Sequence, residues 1–283
     1  MKYEFTGETK LYFGITLKRI RATAAIEKFD VAAGDLGGWI EDEKNLAQSG
    51  DAWVSGDAWV YGNALVYGNA WVYGDAQVSG DAWVYGNARV SGDAWVYGNA
   101  RVYGDAWVYG NAWVYGNALV YGNARVYGNA RVYGDAQVSG DAWVYGNARV
   151  SGDAWVYGNA RVYGNARVYG DAWVSGDAWV YGNARVYGDA WEKSPLYIQG
   201  TKYAFYMAAA NKVGCGCQVF TFADWHKFWR KIAAKFGMTE AEQTEYVSYF
   251  NLACERYGKL EFKIDLTDGS GNDEPCEDAE GEE

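Results

Sequence analysis

Histidine occurs once in these 283 residues and proline twice, and residues 50–191 contain no lysine, histidine or threonine. Each absence closes a route. Proton transfer near neutral pH most often uses histidine, so half of the chain lacks the usual carrier. Four cysteines in a chain this long do not make a disulfide framework, and a reducing, intracellular compartment is expected. Met1-Lys2-Tyr3-Glu4-Phe5 has no apolar core of signal-peptide length, and no apolar run approaches a membrane span. The reading is a cytoplasmic protein with no membrane partner. A formal net charge of −11 argues against nonspecific binding to nucleic acid or an anionic membrane. A phosphate-cradling G-x-G-x-x-G turn is missing too, because the glycines follow a different spacing.

That spacing is the main signal. The chain has 37 Gly, 25 Tyr and 15 Trp, a bias that calls for a repeat search. From Gly50 to Tyr187 it consists of 23 uninterrupted hexads of the form G-[D/N]-A-x-V-[Y/S]. A twenty-fourth begins at Gly188-Asp189-Ala190-Trp191 and fails where Glu192 takes the valine slot. Ala and Val stand two apart, so on a strand they point to one side and x to the other. Small Ala and branched Val are expected to line an interior, with x and the following Tyr or Ser outside. Gly and Asp/Asn suit the corner, since both accept turn geometry at low cost.

The hexad Val54-Ser55-Gly56-Asp57-Ala58-Trp59 reads aliphatic, small, two free positions, small, free. It resembles the hexapeptide-repeat family of left-handed parallel β-helices. The resemblance implies left-handed winding and triangular coils of three hexads, 18 residues each. About eight such coils stacked at strand spacing make a rod of roughly 38 Å. No coil can bury its own face, so the rod needs caps at both ends.

Residues 2–21 alternate around Thr6-Gly7-Glu8-Thr9, which predicts a β-hairpin there, followed by a strand over Thr16–Arg21. In Gly34-Asp35-Leu36-Gly37-Gly38-Trp39-Ile40, Ile40 precedes Leu46 by six, and the two are expected to form an irregular first coil. This GDLGGWI stretch ahead of GNA/GDA repeats resembles YdcK-like hexapeptide-repeat proteins of bacteria and their phages; the resemblance carries a fold and no activity. After Pro195, Tyr203–Met207 and Val213–Phe220 read as strands. Thr221 with Asp224, and Thr239 with Glu242, read as capping boxes opening helices over 222–236 and 240–257. Gly237 and Gly258 read as helix stops, and Lys259–Ile264 as a further strand. Residues 273–283 carry seven acidic side chains in eleven and are expected to be disordered.

Many proteins that resemble this repeat are acyltransferases using a histidine on the coils as general base; here the coils have none, and the carbonic-anhydrase branch would need several. The single His226 lies in the first predicted helix between Trp225 and Trp229 and reads as a surface or packing residue. Cys215-Gly216-Cys217 places two thiols on one face of a predicted strand, but zinc needs two more ligands, and Cys254 and Cys276 are single. No catalytic residue, metal or cofactor is expected.

The information on the coils lies at x: twelve Trp, eight Arg, two Leu and two Gln, with Tyr following at 17 of 23 positions. That is more exposed aromatic area than monomers usually show. Stacked rings one coil apart would stabilise the rod; they would equally serve a sister subunit, another protein or a glycan. Residues 18 apart share a face, so Arg131, Arg149, Arg167 and Arg185 form one ladder and Asp135, Asp153, Asp171 and Asp189 another. The candidate binding residues are these four arginines with Trp95, Trp113, Trp155 and Trp173. An Arg–Tyr ladder is also a format for single-stranded nucleic acid, and an Asp ladder for a DNA mimic; the acidic balance and the missing lysines count against the former. Regular Thr arrays for ice binding are missing.

The expectation is an all-β solenoid. Residues 1–49 form an N-terminal β cap with the irregular coil, 50–191 the left-handed parallel β-helix, 192–267 a small α/β domain and 268–283 an acidic tail. Its expected role is a non-enzymatic spacer or scaffold, a homo-oligomer (dimer or trimer) or the binder of a protein partner, with glycan binding the alternative.

Overall fold

The computed structural model describes residues 1–188, 190–191 and 195–266. The acidic stretch 273–283, Cys276, Asp189 and Glu192 lie outside the described residues. The chain divides into two compact units, Met1–Pro195 and Leu196–Glu283.

The first unit is a parallel β-solenoid of about eight turns. Nearly every hexad contributes a two-residue strand made of x and Val, extended to the following Tyr at Arg167–Tyr169 and Arg185–Tyr187, and the rest of the hexad turns the corner. Each strand pairs in parallel with the one 18 residues on, as Trp95 with Trp113 and Val96 with Val114. Three hexads therefore make one turn, and the strands stack into three sheets of eleven, eight and eight. The Ala and Val of each hexad up to Val186 are fully buried, as their shared side of the strand requires. Backbone bonds tie the coils along the axis: the Trp113 amide donates to Ala130 (2.9 Å) and that of Tyr115 to Val132 (3.0 Å). The corner glycines hold φ between +59° and +72°, the left-handed region costly for other residues. A methyl group on Gly98 would also meet the Gly116 nitrogen at 3.1 Å.

The eleven-stranded sheet is longer because β1 (Tyr3–Tyr12), β2 (Ile15–Ala22) and β3 (Leu36–Ile40) continue it at the N-terminal end. The predicted hairpin turn at Thr6–Thr9 is corrected. β1 runs through it with a register break between Phe5 and Thr9, and the chain reverses at Phe13-Gly14, both at positive φ. A two-residue turn of this kind matches the twist of the flanking strands. Ile40 pairs with Val60 and Leu46 bridges Val66, both fully buried, so the irregular first coil is present and spans 20 residues instead of 18. In β3, a methyl on Gly37 would sit 2.5 Å from Ile20, and one on Gly38 would sit 2.7 Å from the Ala58 oxygen. Only glycine lets this strand close on the rod. Trp53, at the first x position, is buried and not exposed as its slot implies: the Gly37 methyl would lie 2.8 Å from its ring, so β3 covers it.

The open edge of the solenoid is capped group by group. A first coil leaves carbonyls with no preceding coil to bond them, and a bare edge invites pairing with another chain. Ala58 accepts from the Trp39 amide (2.9 Å), Ala64 from Asn45 Nδ2 (2.9 Å) and Ala52 from Lys2 Nζ (2.6 Å), while the Gly62 amide donates to the Glu41 carboxylate (2.7 Å). Burial lowers the Lys2 pKa to about 8. At the other end Trp173 pairs with Ala190 and Val174 with Trp191, one residue short of the regular spacing, so the repeat breaks register where its pattern fails.

The second unit has an antiparallel sheet of Tyr197–Gln199, Ala204–Ala209, Lys212–Cys215 and Gln218–Thr221, then α1 (Phe222–Lys235) and α2 (Glu240–Arg256). The single strand expected over Val213–Phe220 is a hairpin, because Gly216 adopts φ +58° and turns the chain at Gly216-Cys217. Thr239 and Glu242 form a reciprocal capping box; at Thr221 the hydroxyl caps Asp224 and bonds its carboxylate. The strand expected over Lys259–Ile264 is instead a short 3-10 turn, Leu260–Phe262. The Asn251 amide binds both the N–H and the C=O of Ile264 at 2.8 Å, taking the place of a strand partner. Phe205, Phe222, Trp225 and Phe250 make the core. Among the described residues, no helix is long and apolar enough to cross a membrane.

Candidate functional site

The outer surface of the solenoid is a set of ladders. Each rests on the same cause: strands paired 18 residues apart hold identical slots one coil apart. Tyr85 stacks on Tyr103 at 4.9 Å between ring centres, Tyr97 on Tyr115 at 4.9 Å and Tyr115 on Tyr133 at 5.0 Å, all nearly parallel. Burial, then neighbouring tyrosines, raises the pKa of Tyr103 and Tyr127. The corners form amide ladders, with Asn129 donating to Asn147 and Asn147 to Asn165, each at 3.2 Å.

The candidate residues fall on two faces. Trp95, Trp113, Arg131, Arg149, Arg167 and Arg185 form one unbroken column on the eleven-stranded sheet. Trp95 stacks on Trp113 (5.5 Å, 11°), and the Arg131 guanidinium lies over Trp113 at 4.7 Å. Trp155 and Trp173 belong to another sheet, where they stack at 5.3 Å and 9°. Stacking along the axis covers ring faces within the ladder and leaves edges toward solvent. Asp135, Asp153 and Asp171 stand at successive corners of that second face.

On the third face lies an arrangement not singled out from the sequence. Trp71, Arg89, Trp107, Arg125, Trp143, Arg161 and Trp179 alternate rung by rung. Each arginine sits between two tryptophans, Arg125 at 5.4 Å from Trp107 and 5.1 Å from Trp143, in cation–π geometry. The corners alternate in step: Asn87 donates to Asp105, Asn123 to Asp141 and Asn159 to Asp177, at 3.0–3.1 Å. Reading every third hexad from Trp71 reveals the alternation; reading hexads in chain order hides it.

The arginine column differs from that face in its corners: beside Arg149, Arg167 and Arg185 stand the neutral Asn147, Asn165 and Asn183. Among the described residues these three arginines, like those of the third face, have no carboxylate within ion-pair distance. Like charges one coil apart repel, since the spacing is shorter than the screening length of about 8 Å at physiological salt. A groove along this column is lined by Tyr133, Arg149, Ser151, Arg167, Tyr169 and Arg185.

In the second unit, His226 Nδ1 lies 2.8 Å from the Phe262 carbonyl, to which a protonated Nδ1 donates. The two thiols expected on one strand face are separated: Cys215 is buried, while Cys217 is exposed in the turn. Burial pushes the Cys215 thiol up to about 12 and that of Cys254 up to about 11, away from the thiolate form a nucleophile needs. Among the described residues, no three His, Cys, Asp or Glu side chains come together in a way that holds a metal ion.

No curated protein matches this chain. The model of the YdcK Beta solenoid repeat matches residues 58–74, 76–92, 82–98, 94–110, 112–126, 124–140, 136–152, 142–158, 160–176 and 178–193. The stretch from Ala58 to Lys193 thus carries YdcK-type β-solenoid repeats, in agreement with the coils described above.

Proposed function

We propose that this chain is a non-catalytic scaffold of the cytoplasm, whose β-solenoid is a rigid rod with outer faces that bind a second copy of itself or another protein. The observation that carries the reading is the unbroken column from Trp95 to Arg185, six rungs of aromatic and cationic side chains held on paired strands. A surface of this kind suits extended contact with a macromolecule, where Trp, Tyr and Arg dominate binding energy. Among the described residues it gives no small substrate a closed recess, and its arginines face no general base. Left-handed winding of the coils belongs to the same proposal through the resemblance to hexapeptide-repeat proteins.

Capture from host lysate on the immobilised full chain tests the reading. A defined partner retained by the wild type and lost on Arg149→Ala/Arg167→Ala supports it. Release of free thiol from acetyl-CoA with a panel of amines and sugars, abolished by His226→Ala, would overturn it. Glycan binding is the second reading and is favoured by Trp173 and Trp179, each 44% exposed. A glycan array with Trp173→Ala as control tests it.

A further inference from the structure

The charges on the eleven-stranded face are segregated. Its N-terminal half has carboxylates at three successive corners, Asp57, Asp75 and Asp93, beside Trp59, Gln77 and Trp95. Its C-terminal half has the four arginines and neutral corners. On the third face both signs alternate instead. Asp57 is already engaged by Lys10 and the Trp39 indole, each at 3.4 Å. Among the described residues, the Asp75 and Asp93 side chains are exposed and without a hydrogen-bond or ion-pair partner.

We infer that this face binds the same face of a second copy, with the two rods antiparallel about a two-fold axis. The inference rests on the reading of the rod as an interaction surface and names its partner. An axis along the strand direction, between the coils of Trp113 and Arg131, turns the column end for end. Arg149 then lies opposite Trp95 and its corner Asp93, and Arg167 opposite Gln77 and Asp75. Corner and x are two residues apart along the strand, roughly 6.6 Å, within the reach of an arginine side chain. Because both copies have the same coil spacing (4.9 Å between stacked Tyr97 and Tyr115), one matched rung brings the next into register. The symmetry doubles each pair, as a self-complementary patch must. The repulsion within the arginine column is relieved by the partner's carboxylates.

The full chain is tested by light scattering at micromolar concentration. The wild type is expected at twice 31.3 kDa. Arg149→Asp/Arg167→Asp and Asp75→Lys/Asp93→Lys are each expected at the single mass, and their equimolar mixture at the doubled mass. Circular dichroism verifies that both variants are folded. Should one fail to fold, salt decides: the wild-type dimer is expected to dissociate as salt rises. A wild type at the single mass, a dimer that persists in Asp75→Lys/Asp93→Lys, or a dimer unaffected by salt overturns the inference. Pairing of the arginines with the Asp135–Asp171 column of another copy would also survive Asp75→Lys/Asp93→Lys, and so counts against it. A monomeric wild type that still retains a host protein sinks the dimer alone; acyl transfer would sink the scaffold reading alone.

Discussion

The solenoid and the C-terminal unit are built on opposite plans. In the regular coils the interior is lined by Ala and Val whose neighbours are their own repeats one coil away, and stability is a sum over similar interfaces. In the C-terminal unit, Phe222, Trp225 and Phe250 each occur once, meet across elements distant in sequence, and have no substitute. The first plan is expected to tolerate loss of a whole module and not of its pattern, and the second neither. The first also leaves x free to vary, because from Trp59 onward that position lies outside the Ala/Val interior.

The largest break expected in the comparison is Val114→Asp, a charge with no partner inside the rod. Its cost should be about 3–5 kcal/mol, read as a lowered melting temperature. Phe250→Ala should cost the second unit about 3 kcal/mol or more through a cavity among aromatic rings. Its melt should split in two, with the solenoid transition unmoved. A single transition shifted as a whole would mean the units are not independent.

How legible each plan is in the sequence follows from the same contrast. The solenoid could be read because period six fixes the direction of each side chain, and the glycine corners mark the turns. The 18-residue register was legible too; what escaped is the Trp71–Trp179 alternation, which lies on a third column that the Arg131 and Asp135 ladders do not sample. In the second unit the helices were legible through Thr239, Glu242 and the two stops. The strands were less so, since Gly216 makes a turn within an apolar run and Asn251 replaces a strand for Ile264, contacts that no local pattern reveals. The N-terminal turn was missed because Gly7 resembles a turn residue as much as Gly14 does. The candidate residues were placed on the outer faces, but their charge segregation needs the coil map.

Smaller changes sharpen the comparison. Gly98→Ala forces a left-handed backbone and crowds Gly116, and should cost about 1–2 kcal/mol, read by thermal melting. The tyrosine ladders give the solenoid a pH limit. Burial raises Tyr103, Tyr115 and Tyr127 above the ordinary value of 10.0, so the folded state keeps protons that the unfolded state releases. Their contribution is complete below pH 10.0 and is lost as pH climbs through the folded values. The rod's melting temperature should therefore fall above that pH, as a pH series of melts would read. Trp113→Ser, outside the core, should cost about 0.5–1.5 kcal/mol through its lost stacking, well below its neighbour Val114→Asp.

The most direct measurement is the melting temperature after deletion of Gly110–Tyr127, the complete coil that contains Val114. If the solenoid is a sum of equivalent coils, removing all eighteen residues must do less harm than adding one charge to them. The deletion is expected to fold and melt within a few degrees of the intact chain, far above Val114→Asp. A deletion that unfolds the rod, or that lowers its melting temperature as much as Val114→Asp does, would contradict the account.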